Sequence, residues 1–258
     1  MDLRDKVIVI TGASSGFGEL IARGCAERGA RLALVARSGE RLQRLADELG
    51  AREGRALALP TDVSDDAQVR AMAQAALAHF GHADVVVANA GFGVLDLLAE
   101  ANLADLREMV DVNVFGVVST VQAFLPSMLR RRSGQIVIMA SQAGLLATAR
   151  MGFYTATKHA LVGLARTLML ELAGTGVRCA LICPGVARTG FQQRADNAKY
   201  ARSTRLSACT PEQVAHASVR AIERRTHGEV LVPGYVRALV AAAAVAPRLA
   251  RLVLRLLG

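Results

Sequence analysis

Residues 7–18 read VIVITGASSGFG, an apolar and β-branched run that passes directly into a glycine-rich turn. The run 7–11 has the composition of a buried strand, and the pattern after the turn is helical through Arg28. Glycines permit a tight turn and a close backbone approach, so the free amides at the start of the helix can meet a pyrophosphate. A turn without a ligand is the alternative. The position after the first strand favours a dinucleotide site lined by Gly12, Ser14, Ser15, Gly16, Phe17 and Gly18.

Six further β-rich apolar runs follow, with helical patterns in most of the intervals between them, at 31–36, 56–59, 85–88, 135–140, 178–183 and 229–232. Strands joined by helices require crossover connections, which are right-handed and give a parallel sheet covered on both faces. We therefore predict an α/β fold with a doubly wound, Rossmann-like parallel sheet. A single domain is expected over residues 1–233, followed by a helical tail over residues 234–258.

The chain is basic, with a formal net charge of +9 and a pI near 10.2. Most of this charge comes from arginines scattered through helical segments, with short clusters at 130–132 and 224–225. These clusters lack the interleaved aromatic residues of a groove that binds nucleic-acid strands. We therefore expect no nucleic-acid partner.

The four cysteines show neither CxxC spacing nor a nearby histidine pattern, so we predict free thiols and no metal site. The charged N-terminal residues 1–6 run directly into a strand, without the apolar run of a secretory signal. Both observations favour a cytoplasmic protein.

The second strand ends at Ala36 and is followed by Arg37 and Ser38. An NAD-preferring site places a carboxylate here for the ribose 2′-hydroxyl. A guanidinium beside a hydroxyl instead suits a 2′-phosphate, because charge-assisted bidentate contacts favour the dianion. We therefore expect NADP(H) in preference to NAD(H); a solvated loop arginine is the alternative.

Two other predicted strands also end in residues that could contact a ligand. Ligands of open α/β sheets bind at the carboxyl ends of strands. Each of these residues taken alone could equally be a cap or a turn residue. Together they extend the predicted cofactor site to Asp62, Val63, Asn89, Ala90 and Gly91.

Tyr154 and Lys158 lie four residues apart in a long helical pattern and so share one helix face. A cation near a phenol favours the phenolate, which would make Tyr154 a proton donor and acceptor near neutral pH. Such a pair by itself more often lies on a solvent-exposed helix surface without a function.

The pair does not stand alone, because other short motifs occur at fitting intervals over nearly the whole chain. Together with residues 11–18, Asn89-Ala90-Gly91, Asn113, Ser141 and Pro184-Gly185, it resembles the short-chain dehydrogenase/reductase family. The resemblance implies an oxidoreductase that interconverts a small-molecule carbonyl and an alcohol, with the hydride carried by the cofactor.

The resemblance also implies roles for individual residues. Tyr154 would be the catalytic acid and base, Lys158 would favour its phenolate and hold the nicotinamide ribose, and Ser141 would orient the substrate oxygen. Asn113 would bend its helix and support a water relay to the lysine. Segment 184–189 would cover the nicotinamide, with cofactor contacts from Pro184, Gly185, Val186 and Thr189.

Each of these residues also has an ordinary structural explanation: Ser141 as a strand-end cap, Asn113 as a buried helical amide and Pro184-Gly185 as a turn. The sequence departs from the commonest family pattern at Phe17, Ala88, Ala140 and Cys183. None of these changes removes a group assigned to chemistry, and the one at Cys183 alters local hydrogen bonding near the nicotinamide.

Residues 186–210 lack strand character, and the loop 187–208 within them is expected to cover the substrate. Phe92, Gln142 and Leu145 are expected beside it, and an apolar wall, hence an apolar substrate, is suggested by Leu145, Leu146, Met151 and Phe153. Core or subunit contacts are the alternative for this wall. The resemblance further implies a homodimer or homotetramer built from the helices around 103–130 and 151–173.

The tail 234–258 contains a wholly apolar run at 238–246, then Pro247 and three arginines on one helical face. It is too short and interrupted for a transmembrane span. A subunit or core contact is the first interpretation, and peripheral contact with an anionic membrane is the second.

Two other functions remain open. A catalytically idle NADP(H)-binding regulator would keep the fold, although it has no chemical need for the complete set of Ser141, Tyr154 and Lys158. An epimerase or dehydratase of a nucleotide sugar shares the tyrosine and lysine spacing but needs a larger substrate portion than this chain has.

Overall fold

A computed structural model of the protein describes residues 1–147, 149–187 and 208–246. Its main element is a parallel sheet of seven strands in the order β3-β2-β1-β4-β5-β6-β9. The strands are β1 Val7–Thr11, β2 Arg31–Ala36, β3 Ala56–Pro60, β4 Val85–Ala88, β5 Gly134–Met139, β6 Val177–Pro184 and β9 Gly228–Val232. The chain reverses its direction of sheet growth between β1 and β4, where dinucleotides bind in doubly wound folds. The predicted fold class and all seven predicted strands are confirmed.

The helices cover both faces of this sheet. They are α1 Gly16–Ala26, α2 Gly39–Glu48, α3 Asp66–Phe80, α4 Leu103–Val110, α5 Gly116–Arg131, α6 Gly152–Glu171, α7 Pro211–Glu223 and α8 Val236–Val245. One core packs the sheet against α3, α5 and α6, and it includes Phe80, Phe124 and Leu161. The other packs it against α1, α2 and α7, and it includes Ile21, Leu42 and Ile222. The continuous apolar strands are therefore buried on both faces, as expected for a parallel sheet.

The prediction that residues 186–210 contain no strand is wrong. The ends of this stretch form two short strands, β7 Val186–Ala187 and β8 Ala208–Cys209, which pair in parallel. Two-residue strands are too short to produce a periodic pattern in the sequence. Residues 188–207 lie outside the described residues. A capping box between Thr210 and Gln213 begins α7.

Helices α4 and α5 form one long rod interrupted by a π-helical turn at Asp111–Phe115. Such turns insert one extra residue per turn and occur frequently at functional sites. Here the turn carries Asn113, which is fully buried. The rod is long and apolar enough to cross a membrane by length and composition alone, but core helices meet the same criterion, and Phe124 and Met128 pack on the sheet.

Several arginines cap backbone carbonyl groups near the amino ends of the strands. Arg131 donates to Ala83 O at 2.6 Å, and Arg132 donates to Gly174 O at 2.9 Å. Arg225 donates to Gly176 O at 3.1 Å. The two arginine clusters of the sequence thus contribute hydrogen bonds to loop ends at the edge opposite the candidate site.

Candidate active site

The glycine-rich turn between β1 and α1 forms a cradle with no room for side chains. Gly12 has a φ of 67°, in the left-handed region, and a Cβ there would lie 2.9 Å from Ala90 Cα. A Cβ on Gly18 would lie 2.2 Å from Gly12 O. Ser15 is the N-cap of α1, yet its side chain makes no capping hydrogen bond. The amides of the first helical turn therefore face a backbone-lined concavity, which fits the pyrophosphate of a dinucleotide.

Thr11 and Asn89 join this cradle to the end of β4. Thr11 Oγ1 accepts hydrogen bonds from the backbone amides of Asn89 at 3.0 Å and Ala90 at 3.1 Å. Asn89 Nδ2 donates to Thr11 O at 2.9 Å. The Asn89 side chain thus braces the turn. Thr11 is a supporting residue that the sequence placed in the 11–18 motif without assigning it a contact. The sequence feature that could have indicated this role is a hydroxyl residue at the point where a buried strand passes into a glycine-rich turn.

Arg37 lies exposed just beyond the end of β2, at the edge of the sheet where the cradle opens. Nearby, Arg41 Nε donates to Ser38 Oγ at 3.1 Å. The cofactor site predicted from the sequence does not include Arg41. Its position in the first turn of α2, four residues after Arg37, could have indicated it. Two arginines and a serine therefore follow β2 within five residues of its end, where a ribose 2′-substituent would lie in this fold.

Asp62 and Val63 lie after β3, as the sequence predicted. The Asp62 carboxylate accepts from Ser64 N at 3.0 Å and Ser64 Oγ at 2.7 Å, so it orders the turn into α3. Val63 is buried, and a Cβ on Gly116 would lie 2.8 Å from its Cγ2. Close packing against the start of α5 thus fixes the loop that follows β3.

Tyr154 and Lys158 lie in the first two turns of α6 and are both buried, 7% and 4% exposed. Lys158 Nζ is 5.6 Å from the Tyr154 ring centre and donates to Met139 O at 3.1 Å. Burial lowers the pKa of Lys158 to about 8. This pair is therefore a buried phenol and amine at the carboxyl end of β5, rather than a solvent-exposed pair on a helix surface.

Ser141 lies two residues beyond Met139, the last residue of β5. Its Oγ accepts from Ala143 N at 3.1 Å and contacts Pro184 O at 3.5 Å. Ala143 in turn packs in one apolar cluster with Tyr154. The predicted serine cap thus exists, and it sets the hydroxyl on the same side of the sheet as the tyrosine.

Asn113 connects three segments of the site. Its Oδ1 accepts from Phe92 N at 2.9 Å, and its Nδ2 donates to Phe92 O at 2.8 Å and to Thr157 Oγ1 at 3.2 Å. A Cβ on Gly91 would lie 2.9 Å from Asn113 Oδ1 and 3.6 Å from Lys158 Nζ. The loop after β4, the π-helical turn and α6 therefore meet around one buried amide.

The segment after β6 is held by the end of β9. Gly185 N donates to Val232 O at 2.7 Å, and Gln142 Nε2 donates to the same oxygen at 3.0 Å. Cys183 is a fully buried thiol whose pKa burial raises to about 12. Pro184, Gly185 and Val186 lie where the sequence predicted, at the carboxyl end of the sheet, whereas Thr189 lies outside the described residues.

An apolar wall adjoins Tyr154. Met109, Ala143 and Met151 form a buried cluster with the Tyr154 ring, and four partly buried side chains pack against it: Phe92, Val94, Leu95 and Phe153. Asp96 N donates to Arg150 O at 2.8 Å, which ties the loop after β4 to the segment that enters α6. Leu145, expected in this wall, instead packs against the main core.

Comparison with known proteins agrees with this fold. Residues 6–199 match the family model for short chain dehydrogenases. Oxidoreductase UcpA of Salmonella typhimurium is 37% identical over 240 residues, which are 93% of this chain and 88% of that protein. A short chain dehydrogenase/reductase from Burkholderia phymatum, solved in complex with NAD, matches with a TM-score of 0.87 and 34% identity over 96% of each chain.

A second solved structure with a different cofactor is also similar. Alcohol dehydrogenase from the archaeon Thermococcus sibiricus, complexed with 5-hydroxy-NADP, matches with a TM-score of 0.78 and 34% identity. The match covers 88% of this chain and 96% of that one. The resemblance expected from the sequence is thus confirmed, and the chain belongs to the short chain dehydrogenase/reductase family of oxidoreductases.

Proposed function

We propose that this protein is an NADP(H)-dependent oxidoreductase that interconverts a carbonyl and an alcohol, with Tyr154 as the proton donor and acceptor. The observation that carries the proposal is the burial of Lys158 beside the Tyr154 ring, at the same sheet edge as the glycine cradle. Burial of a charged amine is costly, and a nearby phenol and a bound ligand would use its charge.

The residues present fit a dinucleotide at this edge, because the cradle of Gly12 and Gly18 excludes side chains and leaves helix amides available. A bound nicotinamide group would supply or accept the hydride. The Tyr154 hydroxyl would give its proton to the carbonyl oxygen in reduction and take it from the alcohol in oxidation. Lys158 would favour the phenolate, Ser141 Oγ would hold the substrate oxygen, and Asn113 would support proton supply to the lysine.

The preference for NADP(H) rests on Arg37, Ser38 and Arg41. Arg37 is exposed at the end of β2, and Arg41 is oriented by its hydrogen bond to Ser38. Guanidinium groups bind a phosphate dianion through charge-assisted hydrogen bonds, whereas a ribose hydroxyl gains little from them. Relatives with bound NAD and with bound 5-hydroxy-NADP both exist, so this edge of the site is expected to decide between the two cofactors.

The apolar cluster beside Tyr154 supports an apolar ketone or alcohol as the substrate. Phe92, Val94, Leu95 and Phe153 are partly exposed members of this cluster, so they can contact a ligand whose oxygen reaches Tyr154. Apolar walls with few polar groups are typical of small-molecule sites.

Exposed apolar residues on the α4–α5 rod and on α6 support a homodimer or homotetramer. Leu103, Phe115, Leu164 and Leu170 are 58%, 60%, 42% and 79% exposed, respectively. The rod and α6 pack against each other, and exposed apolar surface commonly marks an interface.

The C-terminal region supports peripheral contact of a cytoplasmic enzyme with a membrane. Tyr235 and Val245 are exposed at the two ends of α8, and after Glu229 the sequence contains four arginines and no acidic residue. An apolar and exclusively cationic segment suits an anionic lipid surface. Co-sedimentation with anionic vesicles should be lost on removal of residues 234–258; unchanged binding would exclude the tail as the anchor.

The test of the main proposal combines cofactor binding with turnover. We expect purified protein to bind NADPH more tightly than NADH and to reduce members of a panel of apolar aldehydes, ketones and quinones. Tyr154→Phe should keep cofactor binding and lose turnover by at least about a hundredfold. Tight NADPH binding without turnover on any panel member would favour the idle regulator, and binding to neither cofactor would overturn the proposal.

A further inference from the structure

The Thr157 hydroxyl bridges the Asn113 side chain and the backbone carbonyl of Tyr154, two residues that the proposed mechanism uses. It donates to Tyr154 O at 2.8 Å and accepts from Asn113 Nδ2 at 3.2 Å. A threonine hydroxyl has one proton to donate and lone pairs to accept with, so both bonds coexist. Thr157 is 2% exposed, which places this junction out of reach of water.

The Asn113 amide transmits this contact to the loop after β4. Asn113 bonds both the amide and the carbonyl group of Phe92, as a neighbouring strand would. A Cβ on Gly91, the residue before Phe92, would lie 2.9 Å from Asn113 Oδ1 and 3.6 Å from Lys158 Nζ. The backbone that Asn113 holds is therefore close to the lysine amine, and a shift of the Asn113 amide would move this backbone.

A neighbouring threonine lacks such contacts and provides a matched comparison. Thr155 Oγ1 is buried and has no hydrogen-bond partner among the described residues. It follows Tyr154 directly in the same helix. A hydroxyl at position 155 is thus buried without a bonding role, whereas the hydroxyl two residues later makes two hydrogen bonds.

We propose that Thr157 is a positioning residue that locks the Asn113 amide and the Tyr154 backbone in one geometry, so that Phe92, Lys158 and the Tyr154 ring keep their places for proton transfer. The inference rests on the proposed function for its effect on turnover. Its effect on the Asn113–Phe92 contact is a property of the protein without any ligand.

The test compares Thr157→Val, Thr157→Ser and Thr155→Val. Valine at 157 leaves one Asn113 Nδ2 proton without its acceptor in a buried site. Hydrogen exchange at the Phe92 amide, measured on the ligand-free protein, should then accelerate about tenfold. Thr157→Ser keeps the hydroxyl and should keep the protection, and Thr155→Val should leave it unchanged or increased.

Turnover provides the second measurement. In Thr157→Val, kcat should fall about tenfold or more while KM and cofactor affinity change little, because a misplaced proton donor affects the reaction more than binding. The acid limb of the kcat profile for alcohol oxidation should move to higher pH, since a displaced Tyr154 ring loses the nearby ammonium. Thr157→Ser should restore both values.

Unchanged Phe92 exchange and unchanged kcat in Thr157→Val would overturn the inference, as would an equal loss in Thr155→Val. If Thr157→Val does not fold, as judged by thermal unfolding, Thr157→Ala removes the same hydroxyl without adding a branched apolar carbon and takes its place. An inactive wild-type protein would count against the proposed function alone, because the Phe92 exchange still decides whether Thr157 holds Asn113.

Discussion

Lys158 Nζ donates a hydrogen bond to Met139 O at 3.1 Å while it lies 5.6 Å from the centre of the Tyr154 ring. The last residue of β5 thus holds the amine that the first turns of α6 bring beside the phenol. Strand and helix together fix a buried amine whose charge water cannot stabilise.

The burial of Lys158 has a measurable effect on stability. Burial lowers the pKa of this amine from 10.5 to about 8, so between these values the unfolded chain binds a proton that the folded protein does not. The free energy of unfolding of the wild type, relative to Lys158→Met, should therefore rise as the pH increases from about 8 to 10.5, by up to about 3 kcal/mol. Denaturant unfolding of the ligand-free proteins at several pH values would measure it. A pH-independent difference would show that the folded-state amine titrates normally.

Substitution of Gly18 tests whether the glycine-rich turn binds the cofactor. An added methyl group at Gly18 would lie 2.2 Å from Gly12 O, so Gly18→Ala must shift the backbone of the turn. Overpacking of this kind costs about 1–3 kcal/mol, and we expect cofactor affinity in isothermal titration to fall by at least about tenfold.

Gly163 is the matched control for that substitution. It lies exposed in the middle of α6, with nothing within 4 Å of an added Cβ. Gly163→Ala should therefore stabilise the protein by about 0.5–1 kcal/mol and leave cofactor affinity unchanged. Equal losses of affinity in the two variants would remove the cradle from the cofactor site.

Cofactor choice should depend on Arg37 and Arg41. Hydrogen bonds to charged groups contribute about 1.5–3 kcal/mol, so Arg37→Ala should weaken NADPH binding by about ten- to a hundredfold and NADH binding little. Arg41→Ala should act in the same direction. The control is Arg44→Ala in the same helix, since Arg44 is 65% exposed and pairs with Glu40. Equal losses for the two cofactors in Arg37→Ala would contradict the assignment of NADP(H).

The strands and the polar strand ends could be predicted from the sequence because both depend on short, local patterns. Uninterrupted apolar runs such as 7–11 occur where a strand is covered on both faces. Once these strands are parallel, residues that follow them, such as Asn89 and Ser141, must lie at one edge of the sheet. Proximity of the candidate site residues follows from the topology alone.

The hydrogen-bond partners of these residues could not be predicted in the same way. The double contact of Asn113 with Phe92 depends on the π-helical turn, which shifts the side chains after Asp111 relative to an α-helix. The two-residue strands β7 and β8 have no periodicity to detect. Thr157 carries no signal beyond its residue type, since its role arises from a helix that lies 44 positions away in the chain.

We expect Phe115 and Leu164 to lie in the interface between subunits. Both are exposed apolar side chains, and they lie on elements that pack against each other. A carboxylate buried between subunits without a partner is strongly destabilising, so Phe115→Glu and Leu164→Glu should each shift the protein toward monomers in sedimentation velocity. Ala75→Glu places the same charge on the exposed side of α3 and should not change the assembly. If neither interface variant alters the sedimentation coefficient of an oligomeric wild type, the subunits meet through another surface, and the exposed leucines of α6 need a different explanation.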